Sequence, residues 1–129
     1  MKLVGIVFMG LLVLSGCNED QFEQIGYFKG GNNNRVFLLQ ATVAVSEAEV
    51  SERAARLMHT DGRMTIAFIA EHNVIGVADL VTLAGDFQAA NGAMLEKPTL
   101  WRWWYRRSPN GDETLVDCNL SASTVCQGV

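Results

Sequence analysis

Residues able to do chemistry are sparse in this chain, and their spacing works against a shared site. There are two histidines, His59 and His72. His59 stands where an amphipathic helix should end and a strand begin, and His72 follows the other end of that strand. Roughly nine residues at ~3.3 Å each would hold the two imidazoles about 30 Å apart, which speaks against a metal site or proton relay built on both. Ser46 and His72 fall at the same end of neighbouring strands, with Glu71 and Asp79 near in sequence, so a small Ser-His-acid hydrolase is an alternative that topology leaves open. No G-x-S-x-G elbow surrounds Ser46, and that residue already has a sufficient task as a helix cap. Gly30-Gly31 followed by Asn32-Asn33-Asn34 opens no helix and precedes no Lys-Ser/Thr pair, so it reads as a turn or mobile loop, not as a phosphate cradle.

The most distinctive composition is Leu100–Arg107, LWRWWYRR. Trp and Tyr offer flat apolar area with a polar tip, and Arg forks onto carboxylate or phosphate. The combination suits sugars, peptidoglycan, lipid headgroups or a protein hot spot. In a strand, Trp101, Trp103 and Tyr105 share one face and Arg102, Trp104 and Arg106 the other. The first set, being larger and more apolar, is expected in the core. The second is the candidate binding surface, against the plainer reading of a core strand with a soluble back.

The first twenty residues decide where such a site would work. Lys2 precedes an apolar run from Leu3 to Leu14, which ends in Ser15-Gly16-Cys17. A cation, a short apolar core and a small-residue exit describe a secretory signal. At about twelve residues, where a bilayer span needs ~20, the run is too short for a permanent anchor. Leu14-Ser15-Gly16-Cys17 resembles the lipobox of bacterial lipoproteins. The resemblance covers the first twenty residues and implies cleavage before Cys17, a diacylglyceryl group on its thiol and an acylated amino terminus. Several acyl chains, palmitate among them, give stable attachment to one leaflet. Within that family an Asp after the Cys retains proteins at the inner membrane; Asn18 stands here, which favours the periplasmic face of the outer membrane.

With Cys17 taken by lipid, Cys118 and Cys126 remain in an exported chain, where an even remainder reads as a disulfide. Closing so short a loop restrains the unfolded chain by roughly 2.5 kcal/mol. With no histidine nearby, a metal pair is not expected. Loss of residues 1–16 leaves 113 of the 129 residues and, with Lys2 gone, takes the net charge from −4 to −5. That length supports one core. An acidic balance lacks the basic footprint of a nucleic-acid partner.

The elements follow from pattern. Residues 17–34 read as a lipidated tether and loop, and 35–129 as a single domain. Arg35–Val45 is an apolar, β-branched run suited to a strand covered on both faces. Ser46-Glu47-Ala48-Glu49 is a capping box. The helix it opens should run to about His59, with Ala48, Val50, Ala54, Leu57 and Met58 inward, and Glu47, Glu49, Glu52, Arg53 and Arg56 forming a solvated face. Asp61-Gly62 turns the chain into a second strand, Arg63–Ala70, parallel to the first. Apolar spacing from Val77 to Met94 predicts a second helix, with Gly92 near its end. Ser108-Pro109-Asn110-Gly111-Asp112 turns LWRWWYRR onto a final strand, Glu113–Cys118. The expected fold is α+β, a mixed sheet of about four strands and two helices in the order β-α-β-α-β-β. The expected protein is a non-enzymatic, membrane-anchored envelope lipoprotein without cofactor, binding a partner protein or envelope component. The small hydrolase and a plasmid- or phage-type exclusion lipoprotein are the alternatives.

Overall fold

The computed structural model describes residues 21–76, 87–121 and 123–127. Cys17, the signal segment and the first half of the expected second helix lie outside them. The described chain forms one five-stranded sheet whose spatial order follows the sequence: β1 (Phe22–Lys29), β2 (Arg35–Ala41), β3 (Thr65–Ala70), β4 (Trp103–Arg107) and β5 (Glu113–Asp117). The β2–β3 pair is parallel and the other neighbours are antiparallel. Helix α1 (Glu47–Ala55) joins the parallel pair, and α2 (Phe87–Leu95) precedes β4. The fold is thus α+β with a mixed sheet and two helices. It has five strands instead of about four, and the added one lies in the stretch expected to be tether.

The reason β1 escapes pattern reading is a bulge. Register shifts between Gln24 and Gly26, so Ile25 is the extra residue. Phe22 and Tyr27, five positions apart, would face opposite ways in a regular strand. The bulge brings both to the α1 side, where Phe22 joins the core and Tyr27 stacks on Phe37 with centroids 4.9 Å apart. Ile25 and Phe28 pack on the other side. Alternation, which is the sequence signal for a strand, is erased by the same residue that lets this one fit.

A helix covers each face. On one, Val50, Ala54 and Leu57 of the α1 segment pack on Phe37, Leu39, Ala67, Ile69, Trp103 and Tyr105. On the other, Ala90 and Met94 of α2 pack with Val36, Leu38, Ile66 and Phe68. Both faces being apolar, β2 and β3 are buried almost throughout, as their unbroken apolar runs require. The capping box forms as expected: Glu49 N–H donates to Ser46 Oγ at 3.2 Å, and Ser46 N–H to Glu49 Oε1 at 2.8 Å. Helix α1 ends earlier than its pattern suggests, at Ala55, which leaves Met58 exposed; Ala48, in its first turn, is exposed too, and both were expected inward. Gly92 lies inside α2, not at its end.

Each turn is closed by a residue with positive φ where one is needed. Asn33 (φ 70°) closes the β1–β2 hairpin, Gly62 (φ 81°) the entry to β3, and Gly111 (φ 95°) the β4–β5 hairpin. Gly62 N–H donates to Pro109 O at 3.0 Å, so the last two turns meet at one end of the sheet.

Candidate binding cleft

The expected binding face of LWRWWYRR is dispersed. The strand begins only at Trp103, after a short 3-10 turn over Pro98–Leu100. Trp103 and Tyr105 are buried on the α1 side, as expected. Trp101 is buried too, but on the α2 side, edge-on to Phe68 at 5.0 Å, because the backbone ahead of β4 does not keep strand alternation. Its indole Nε1–H donates at 2.8 Å to Met94 O, which also accepts from Lys97 N–H at 3.0 Å.

Of the outward set, Arg106 alone is exposed. Trp104 is half-buried with Cys118 and Val125 of the disulfide-closed tail, while the Arg106 guanidinium stacks over it at 5.7 Å. Arg102 is a clasp: Nε and Nη2 donate to the two Asp117 oxygens, each at 2.9 Å, and Nη1 lies 3.6 Å from Glu71 Oε2. These hydrogen bonds hold the Asp117 carboxyl below its ordinary range, against the opposing effect of burial. They also push Arg102 upward. Cys118 and Cys126 are bridged, with Cα atoms 5.4 Å apart, and fasten the tail beside this clasp.

At the opposite end of the sheet one cross-strand row collects charge. Lys29, Arg35, Thr65, Arg107 and Glu113 are register partners across all five strands, on the α1 side. Arg35 is only 7% exposed. It donates to neutral groups: Nη1 to Thr60 Oγ1 at 2.6 Å and Nε to Tyr27 Oη at 3.1 Å. Among the described residues no carboxylate pairs with it, so a buried cation is held by two hydroxyls and, at 3.5 Å, the Asn33 carbonyl. His59 sits over the same row. Thr65 Oγ1 donates to Met58 O at 3.3 Å and so accepts from His59 Nδ1–H at 2.8 Å, which fixes the tautomer and leaves Nε2 buried and unpartnered. Burial first, then the Arg107 charge, lowers the His59 pKa. Tyr105 Oη donates to Glu113 Oε1 at 2.6 Å; burial and then that carboxylate raise the phenol's pKa.

Between β1 and the end of the α1 segment opens a cleft of about 320 Å³. Its floor is Tyr27 and Phe37, its apolar wall Leu57 and Met58, and its basic wall Arg53 and Arg56. Tyr27 and Met58 are 42% and 63% exposed, high for apolar side chains of their size. Arg35 reaches the cleft through the Tyr27 hydroxyl. Sequence reading assigned Arg53 and Arg56 to a solvated helix face and Tyr27 to a tether. The signal it lacked was β1, which supplies the second wall. The opening suits a ligand with an apolar body and an anionic group.

His59 and His72 lie at opposite ends of β3, as expected, though a six-residue strand separates them by nearer 20 Å than 30 Å. Ser46 is committed to Glu49, and among the described residues no hydrogen bond joins it to His72. Asp79 lies outside the described residues. No group of three or more potential metal-ligating side chains occurs among them, and none of their helices is long and apolar enough to cross a membrane. Comparison with protein families, curated proteins and solved structures finds no match to this chain.

Proposed function

We propose that this protein is a non-enzymatic lipoprotein of the bacterial cell envelope, anchored through lipid on Cys17 at the periplasmic face of the outer membrane. In this reading it captures an envelope component or partner protein that offers an anionic group beside an apolar part. The observation that carries the binding half is the cleft of Tyr27, Phe37, Leu57 and Met58 edged by Arg53 and Arg56. The lipobox-like Leu14–Cys17 carries the anchoring half. Of the Arg102, Trp104 and Arg106 set, Arg102 is held by Asp117 and Trp104 is half-buried, which makes the cleft the leading site and leaves this set second.

Each half has its own test. Labelled palmitate should enter the wild-type protein and not Cys17→Ser, and envelope material retained on the wild type should be lost from Tyr27→Ala/Arg56→Glu but kept by Arg106→Ala. Equal labelling of wild type and Cys17→Ser overturns the anchor. Equal retention by the cleft variant overturns the site.

A further inference from the structure

Among the described residues five large apolar side chains are exposed: Tyr27, Val43, Met58, Ile75 and Leu120. Tyr27 and Met58 belong to the cleft. The other three, 48%, 91% and 80% exposed, stand on loops after β2, β3 and β5. Register brings those loops to one end of the sheet. Phe22 pairs with Ala41, Gln40 with Ala70, Ile69 with Trp103, and Trp103 with Asp117, so the ends of β2, β3 and β5 lie level with the start of β1.

The three tips are held in place. Thr42 N–H donates to Gln21 O at 2.8 Å, tying the Val43 loop to the residue before β1. Gln40 Nε2 donates to Glu71 O and Val74 O at 3.2 and 2.8 Å, clamping the loop that displays Ile75. Leu120 N–H and Ser121 N–H both donate to Asp117 O, at 3.0 and 2.9 Å, fixing the turn that displays Leu120. Single exposed apolar side chains are ordinary; three held on ordered loops at one end of the sheet can be covered together by an apolar surface that extends across that end. Of the carboxylates at this end, Glu71 and Asp117 are engaged by Arg102 and Glu49 accepts from Ser46 N–H, while Glu47 in the first turn of α1 is exposed.

The chain itself names the occupant. Between Cys17 and Phe22 lie only Asn18, Glu19, Asp20 and Gln21. Fully extended, that link reaches about 17 Å. Lipid on Cys17 would therefore hold this end, and not the end bearing the His59 row, against the bilayer. We infer that Val43, Ile75 and Leu120 form a lipid-facing platform that inserts into the interfacial layer of the membrane, fixing the domain's orientation and turning the cleft away from the surface. This rests on the anchoring reading above. The several acyl chains already attach the protein to one leaflet but leave the domain free to turn, and the platform adds an apolar contact made by the protein itself that fixes its orientation.

The test uses the full-length lipidated protein in phosphatidylcholine–phosphatidylethanolamine vesicles carrying brominated acyl chains. Tryptophan is placed in turn at the platform (Ile75→Trp, Leu120→Trp) and at an exposed apolar site on the far end (Met58→Trp), and the quenching of Trp101, Trp103 and Trp104 in the wild type is subtracted from each. Interfacial side chains reach ~5–10 Å into the headgroup boundary, so the platform variants should be quenched at least about threefold more than Met58→Trp. Flotation with the vesicles separates the two ideas. Protein that floats with equal quenching at 75, 120 and 58 overturns the platform while keeping the anchor, and protein that does not float overturns both. A concentration-dependent dimer abolished by Ile75→Ser/Leu120→Ser would reassign the face to a second copy and also overturn the proposal.

Discussion

The two ends of the sheet hold charge in opposite ways. At the end where β1 begins, Arg102 meets Asp117 in a two-pronged pair, and a disulfide pins the tail beside it. At the other end Arg35 is more deeply buried than Arg102, yet it has only hydroxyls and a carbonyl, and His59 keeps an unpartnered nitrogen beside Arg107. A compensated charge can be structural; an uncompensated one is costly unless something outside the fold relieves it. The difference teaches that charge at the first end is neutralised within the fold, although a pocket of about 330 Å³ opens beside Arg102. The second keeps cationic character next to the cleft, where an anion would be welcome.

The largest expected effect lies in the packing beneath the first end. Trp103→Ala removes a side chain that is 2% exposed, spans the α1 core and carries the Arg102 guanidinium over its ring at 4.5 Å. It should cost ~3–5 kcal/mol in denaturant titration. A loss under about 1 kcal/mol would mean that this end is far looser than its contacts imply.

Next comes a matched pair, Arg102→Met against Arg35→Met. The first strands a carboxylate whose side chain is 6% exposed. Discounted for the partly open Arg102, it should cost about 2–3 kcal/mol. The second loses hydrogen bonds to neutral groups and also removes a buried charge, so it should cost about 1 kcal/mol or less. Thermal melts that reverse this order would erase the distinction between the ends.

The smallest effect sharpens the comparison through pH. Asp117 has a depressed folded pKa, so its contribution is complete above the unfolded value near ~3.9 and is lost as pH falls through the lower folded value. His59 is also depressed, so its contribution is complete above ~6.5 and is lost as pH falls through its folded value, when a cation must form beside Arg107 and Arg35 despite Asp61 and Glu113. As pH falls from about 7 to about 5, amide protection corrected for the slower intrinsic exchange should fall around Thr60 and Thr65 and stay unchanged around Arg102 and Asn119. His59→Gln should flatten that response, changing stability at neutral pH by under about 1 kcal/mol. A uniform change at both ends would show that His59 does not set it.

Local chemistry made much of the chain legible. The Ser46–Glu49 capping box, the turn at Gly62, the parallel β2–β3 pair, the β4–β5 hairpin and the Cys118–Cys126 bridge each depend on residues close in sequence or on a fixed topological rule. The inward faces of Trp103 and Tyr105 followed from strand periodicity. Other features depend on register, which joins residues far apart in the chain. The bulge at Ile25 hid β1 and with it one wall of the cleft. An irregular backbone before β4 sent Trp101 to the face opposite Trp103. Arg102 looked outward until Asp117, fifteen residues on, was brought within its reach. Arg35, Thr65 and Arg107 carry no mutual signal in sequence, because only the pairing of three strands sets them in one row. Periodicity tells a residue which side of its own strand it occupies. What lies on that side, and at which end, is decided by the partners the tertiary fold supplies.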